Sequence, residues 1–314
     1  MGNINDTFKV KSGSQSFVLQ RINPVVFDFP KLVAQRLAWV HKVMNSKTIT
    51  VPAPRNTQAG SVAAIDSNGD TWRCYAYVEG VTPPTKTERD LRACGRAFGH
   101  YVNGIAFRYS QHLPPTTYCL HDFDYHYAEL LRARKKDPVS RAADAQRDND
   151  DVLRLADSIR ALPEYELWEA APVRVVHNDA KPVNLIMRSD RRMHVIDVDT
   201  TAPGQLLYDI GELVRACGDT PVRAAAIWNG FHDGWSQRLR ISEYEALPIA
   251  GPLMTTENAL RRMKDHLSGD VYFRVKKAGD NRTKARQLAA SARAQLKQLD
   301  ELRDQAELLY WERR

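Results

Sequence analysis

The sequence predicts an α/β protein of two lobes, a small β-rich one followed by a larger, mainly helical one. Two observations carry this expectation. At 314 residues the chain is longer than one hydrophobic core comfortably serves. The apolar pattern also changes along it, from β-like segments around a single helix in the first 80 residues to mostly helix-period segments beyond.

The opening Gly2-Asn3-Ile4-Asn5-Asp6-Thr7-Phe8-Lys9-Val10 reads as a turn feeding a strand, and 17–22 reads as a second strand after the Ser12-Gly13-Ser14 turn. The pair forms a hairpin. A glycine and small polar side chains at such a turn would let backbone amides and hydroxyls approach phosphate oxygens. Leu32, Leu37, Val40 and Val43 recur at near-helical spacing, which predicts a helix over 30–44, and Pro52 and Pro54 close that region. Residues 72–80 alternate large apolar and smaller groups, then break at Gly80 and the Pro83-Pro84 pair. That break reads as a hinge, dividing the chain into 1–80 and 81–314. Helices are expected over 91–105, 125–135 and 150–161, and strands over 173–176 and 193–196. Leu288, Leu296, Leu299 and Leu302 mark one apolar face on a helical stretch over 283–312, which is expected to lie on the core.

Composition narrows the function. The formal charge of +7 and pI near 9.2 come from basic residues scattered among acidic ones. Runs such as Arg132 to Lys136 and Arg188 to Arg192 are short and read as solvated surface, so a nucleic-acid partner is not expected. No apolar stretch is long enough to span a bilayer, and no basic region leads into a hydrophobic run at the start. The cytoplasm is the expected compartment. Cys74, Cys94, Cys119 and Cys217 form neither a Cys-x-x-Cys pair nor a zinc pattern and read as reduced thiols.

The segment richest in chemistry is His177-Asn178-Asp179-Ala180-Lys181-Pro182-Val183-Asn184, with Asp197 and Asp199 after a short apolar run. The Asp179 to Asn184 step repeats the spacing of a phosphoryl-transfer catalytic loop, in which an Asp accepts a hydroxyl proton and an Asn holds magnesium. Asp197 supplies the second metal position. Oxygen ligands from Asn and Asp suit magnesium, and a carboxylate beside an acceptor hydroxyl can take its proton. Lys181 is expected to aim its ammonium at the transferring phosphate. Both carboxylates follow β-rich segments, which hold such groups rigidly.

These residues resemble the aminoglycoside phosphotransferase and choline kinase superfamily, and within it the N-acetylhexosamine 1-kinases. Residues 2–8 resemble their phosphate-loop region and 17–23 their next strand. Residues 177–184, then Val195-Ile196-Asp197-Val198-Asp199-Thr200 with Pro203-Gly204, resemble the catalytic and metal segments. Leu260-Arg261 and Gly269-Asp270-Val271-Tyr272-Phe273 are similar to a carboxy-terminal region that helps form the sugar site. The resemblance implies a protein-kinase-like two-lobed fold, ATP and Mg2+ as cofactors, and a small-molecule sugar acceptor. It implies Asp179 as base and Asn184 and Asp197 as metal ligands. Asn3, Asn5, Thr7, Gln20, Arg21, Tyr77, Val78 and Glu79 are implied around the nucleotide, and Arg261 and Tyr272, with Asp179, around the acceptor. Asp209, in Leu207-Tyr208-Asp209-Ile210-Gly211, resembles an aspartate that braces the catalytic loop.

Two departures stand out. Gln20 occupies the strand position where a Lys or Arg often grips ATP phosphates, with Arg21 beside it, so either is a candidate for that contact. The chain also starts almost at the phosphate loop, so either the strand usually ahead of it is shortened or the start of the sequence is incomplete. The leading expectation is an ATP-dependent kinase acting on the anomeric hydroxyl of an N-acetylhexosamine. Its rivals are a phosphotransferase for another alcohol, such as an aminoglycoside, and a nucleotide-binding protein without catalysis.

Overall fold

In the computed structural model, which describes residues 4–44, 48–108, 114 and 119–314, the first lobe is a single antiparallel sheet with one helix against it. Strands β1 (Asp6–Ser12) and β2 (Gln15–Arg21) pair along their whole length, with Phe8 opposite Leu19. After α1 (Pro30–Val43) come β3 (Ile49–Thr50), β4 (Pro54–Arg55), β5 (Ala64–Ile65) and β6 (Thr71–Ala76). The sheet runs β1-β2-β6-β4, with β5 also on β6. Pro30 sits in the first turn of α1, where its missing N–H costs nothing, and Val33, Ala34, Leu37 and Val40 turn inward. Ile22, Val26, Phe27, Val33 and Ala34 form a small apolar cluster of their own.

Two connections carry the chain into the second lobe. At the predicted hinge, Val81 and Met187 exchange backbone hydrogen bonds of 3.0 and 2.8 Å. Strand β3 pairs in parallel with β9 (Met193–Val195), stitching the first part of the chain to the three-stranded sheet β3-β9-β8 beside the catalytic segment.

The second lobe contains α2 (Glu88–Ile105), α3 (Phe123–Lys136), α4 (Gln146–Arg160) and α5 (Pro163–Glu169). Then follow β7 (Val173–Val176), β8 (Leu185–Met187), β9, β10 (Ala202–Gln205), α6 (Leu206–Cys217), α7 (Pro221–Gly234), α8 (Ile241–Leu267), α9 (Asp280–Leu296) and α10 (Leu299–Arg313). A Thr87–Asp90 capping box starts α2. Helix α8 is buried on nearly every side and packs on α6, α9 and α10. The tail expected as one helix over 283–312 is instead two, broken at Lys297 and Gln298 so that α10 can fold back beside α7 and α8.

Helices α2 and α7 touch through their backbones. A Cβ added at Gly99 would lie 2.1 Å from the Phe231 carbonyl oxygen, and one at Gly230 would lie 2.1 Å from that of Arg92. Gly95 and Gly234 meet the partner helix in the same way. Only residues without a Cβ permit so close a crossing. No described helix is long and apolar enough to cross a membrane.

Candidate active site

The catalytic segment leaves the end of β7 and is held from several sides. Asp209, in the first turn of α6, accepts the His177 amide at 2.9 Å and the Asn178 amide at 2.7 Å. It is fully buried, and burial pushes its carboxyl up to about 7 against the pull of those two amides. The resemblance placed this brace correctly. Asn178 adopts a left-handed φ of 62° and donates its side-chain amide to the carbonyls of Thr200 and Ala202 at 3.0 and 3.3 Å. Opposite it on β10, a Cβ at Gly204 would lie 2.4 Å from Asn178 Oδ1, so that position admits no side chain.

His177 is buried between Phe98 and Tyr101 of α2, both edge-on to its ring with centroids at 5.3 Å. Nδ1 accepts the Asp179 amide at 3.3 Å, which assigns the proton to Nε2, 3.2 Å from the Ile196 carbonyl. Burial drives its pKa down to about 4, consistent with a neutral ring.

Asp179 then projects from the loop. Lys181 Nζ donates to both its oxygens, at 2.8 and 2.7 Å, and Asn184 Nδ2 donates to its carboxylate at 3.0 Å and its carbonyl at 2.8 Å. Burial would raise this carboxyl, but the Lys181 ammonium outweighs it and holds the group below the usual range. The lysine expected to face a phosphate therefore lies on the Asp179 carboxylate.

Asn184 ends a 3₁₀ turn (Pro182–Asn184), and its carbonyl accepts the Ile196 amide at 2.9 Å. With Leu185 opposite Val195 in the β8–β9 register, Asn184 stands across from Ile196, one residue from Asp197. Asp197 takes a left-handed φ of 58° and opens to the cleft. The surrounding protein, and then the charges of Asp199 and Asp179, push its carboxyl up to about 7.

The donor set fits magnesium. With Nδ2 committed to Asp179, Asn184 offers its amide oxygen, and Asp197 offers a carboxylate whose crowding by like charge a cation relieves. Among the described residues no group of three or more His, Cys, Asp or Glu side chains is arranged to hold a metal. Mg2+ characteristically takes one or two carboxylates and fills its other positions with water and phosphate oxygens, so two protein ligands suffice.

On the nucleotide side, Gly2 and Asn3 lie outside the described residues. Asn5, Thr7 and Gln20 converge on one network. Gln20 Nε2 donates to Thr7 Oγ1 at 2.9 Å, and its Oε1 accepts Arg73 Nε and Nη2 at 2.9 and 2.7 Å. Arg73 forms a buried pair with Asp199 at 2.7 and 2.9 Å, and Asn5 Nδ2 donates to the same carboxylate at 3.0 Å. Burial opposes the Arg73 charge, but Asp199 and, more weakly, Asp197 raise it.

Arg21 corrects one expectation. It points outward to Asp6 and Asp70, and the cation on Gln20 is the buried Arg73, directly across the β2–β6 ladder from it. Helix α1 adds Arg36, whose Nη1 donates to the Asp199 carbonyl at 2.8 Å. Tyr77 donates its amide to Ser16 at 3.1 Å and carries Lys9 Nζ 3.6 Å above its ring; Val78 is half-buried and Glu79 exposed beside it.

On the acceptor side, Glu257, Arg261 and Asp265 recur every fourth residue on α8 and share a face. Arg261 Nη2 donates to the Tyr272 hydroxyl at 3.2 Å. The two line a cavity of about 210 Å³ with Val26, Asp28 and Lys264, and Asp179 is not in its wall; burial opposes the Arg261 charge, but Tyr272, then Glu257 and Glu212 and last Asp179 raise it.

Sequence reasoning missed the partners of these groups. Glu212 carries Arg215, with Nε at 2.9 Å. Glu257 carries His121 at 3.1 Å, and the other ring nitrogen of His121 lies 2.7 Å from the Asn178 carbonyl. Both nitrogens face acceptors; burial lowers the pKa of the ring, and the Glu257 carboxylate outweighs it and raises it above the ordinary value. A larger cavity, about 720 Å³, lies behind the hinge between Pro83, Arg96, His100 and Met193, away from the catalytic residues.

A sequence model of the phosphotransferase enzyme family matches residues 1–240. Among solved structures, a spectinomycin phosphotransferase in complex with ADP and spectinomycin superimposes with a TM-score of 0.63 at 10% identity, covering 96% of this chain and 92% of that one. An amicoumacin kinase in complex with AMP-PNP and Ca2+ gives 0.61 at 11% identity, covering 93% and 86%. A microcompartment-associated aminopropanol kinase gives 0.59 at 19% identity, covering 96% and 90%. Such likenesses match the kinase-like fold of a sheet lobe and a helical lobe. The chain belongs to the phosphotransferase enzyme family, whose members transfer phosphate to hydroxyl acceptors.

Proposed function

We propose that this chain is an ATP- and Mg2+-dependent kinase of a neutral sugar, with the anomeric hydroxyl of an N-acetylhexosamine as its acceptor. The observation that carries this reading is charge balance around Asp179. Its own carboxylate is matched by Lys181, Glu212 by Arg215, and Glu257 by His121 and Arg261. A site whose carboxylates are already paired offers little to a polycation. It suits hydroxyls, which exchange hydrogen bonds with paired groups without adding charge.

In this reading residues 1–80 form the nucleotide lobe. Asn5 and Thr7, the Gln20–Arg73 pair and the Tyr77–Val78–Glu79 hinge surround ATP. Asn184 and Asp197 would hold Mg2+, which when bound neutralises charge on the phosphate oxygens. Asp179, kept ionised by Lys181, takes the proton of the acceptor hydroxyl. Arg261 and Tyr272 orient the sugar, the guanidinium toward an acetamido carbonyl and the phenol toward a hydroxyl.

A panel of N-acetylhexosamines supplied with ATP and Mg2+ tests this through ADP release. The expected result is turnover that Asp179→Asn reduces by at least about 10²-fold, the usual minimum for losing a general base. Full turnover in that variant would remove the base assignment. A protein that binds ATP but releases no ADP with any acceptor would be a nucleotide binder rather than an enzyme.

One observation favours an amine-bearing acceptor as a second reading. A cavity of about 430 Å³ beside Asn178 is lined by Asp122, Asp124 and Glu169. Asp124 is already engaged by Arg160, and Asp122 caps α3, so the hexosamine reading leads. An aminoglycoside outpacing every hexosamine in the panel would reverse that order.

A further inference from the structure

We propose that Asp265 is the positioning residue of the acceptor side, fixing the 270–274 segment so that Tyr272 meets both Arg261 and the nucleotide lobe. The inference rests on the assignment of Arg261 and Tyr272 to the acceptor made above.

Asp265 lies in the last turn of α8 and is 1% exposed. Its Oδ1 accepts the amides of Val271 at 3.0 Å and Tyr272 at 2.9 Å. Its Oδ2 accepts the Phe273 amide and Asn281 Nδ2, both at 2.9 Å. Three successive backbone amides thus close on a carboxylate supplied by the chain itself, as a nest closes on an anion. Among the described residues this charge is met by amides and not by an ion pair.

Asp270 turns the chain into this arrangement through a left-handed φ of 62°, and its carboxylate is held by Arg141 at 2.7 Å and Asn281 at 2.9 Å. The result reaches in two directions. Toward the acceptor, the fixed Tyr272 amide sets its hydroxyl on Arg261. Toward the nucleotide, the Tyr272 ring packs on the cluster of Ile22, Val26, Phe27, Val33 and Ala34. Arg274 then reaches Asp6 at 2.7 Å, next to the phosphate-loop residue Asn5. One buried carboxylate at the wall of the Arg261–Tyr272 cavity therefore anchors a segment that touches both substrate sides.

Asp265→Asn keeps the shape and turns one accepting oxygen into a donor. With a hexosamine that the unaltered protein phosphorylates, KM for the sugar should rise about 10- to 100-fold, the usual scale for losing charge-assisted hydrogen bonds. KM for ATP should rise distinctly less than KM for the sugar, because the segment meets Arg261 directly and reaches the nucleotide lobe only through Arg274 and the Tyr272 ring. A purely structural role would instead lower the melting temperature and move all constants together, and an unchanged sugar KM would overturn the proposal.

A second measurement needs neither a variant nor a known acceptor. Amide hydrogen exchange on the full chain should show 271–273 protected, and protected further when AMP-PNP with Mg2+ is added, because Arg274 ties the segment to the nucleotide lobe. Unprotected amides, or no response to AMP-PNP, would refute the anchoring. A wrong acceptor class appears separately, as protected amides in a protein that turns over no hexosamine.

Discussion

Replacing Asp199 with Asn tests the network that joins the nucleotide lobe to the catalytic segment. The Arg73 and Asp199 side chains are 3% and 2% exposed, so neither charge can turn to water when its partner is lost. The substitution leaves Arg73 buried, and puts an amide donor among the guanidinium and Asn5 donors that the carboxylate now accepts. Breaking one side of a buried pair costs about 3–5 kcal/mol. With an unfolding entropy of about 2.1 cal/mol/K per residue, a chain this long should then melt roughly 5–8 °C lower. Thermal scans of Asp199→Asn, Arg73→Met and the double variant would measure it. The double variant should lose distinctly less than the two singles combined, because the second change removes the charge that the first left unpaired. A shift under about 2 °C for Asp199→Asn, or strict additivity in the cycle, would refute the reasoning.

Asp209→Ala should lower kcat by about tenfold or more and leave ATP affinity nearly unchanged, since it frees two loop amides without touching the nucleotide side; steady-state kinetics with nucleotide titration would show this split. Gly204→Ala should destabilise the chain by about 1–3 kcal/mol and slow turnover, because its methyl would fall on Asn178 Oδ1, a change urea unfolding can measure. His177 sets a pH dependence. Its folded pKa of about 4 lies below the ordinary 6.5, so the unfolded chain takes up the proton first as pH falls. Its contribution is complete above pH 6.5 and is lost progressively toward pH 4, by up to about 3 kcal/mol. Unfolding free energies across that range in the unaltered protein and in His177→Asn should differ by this slope; parallel curves would contradict the assignment.

The 177–184 segment was legible as a unit because its residues are adjacent. Asp179, an asparagine five places on and Asp197 past a short hairpin form one local pattern, and the β8–β9 register brings them side by side. Arg73 was harder, since its position depends on which residue of β2 faces it. A signal existed: alternation along β6 sets Arg73 on the same side as buried Thr71, with half-buried Trp72 between them on the other. Glu257 and Asp265 were invisible for a different reason. Helix α8 holds Pro248 and Pro252 in its interior and is buried all round, so it shows neither an uninterrupted pattern nor a polar stripe. The split between α9 and α10 has no glycine or proline to announce it, and is set by how α10 packs on α7 and α8.

The meeting of α2 and α7 without intervening side chains has a consequence for how this protein could change. Phe98 and Tyr101 cradle His177 from a helix whose distance to its neighbour is fixed by main-chain atoms alone, so the reaction centre inherits a rigid datum. Arg261 and Tyr272 hang from a separate support, α8 and the turn that follows it. Under the proposed function, variation in one frame would retune which alcohol is accepted while the other keeps Asp179 in place, a division of labour that would let a single scaffold trade acceptors without relearning its chemistry.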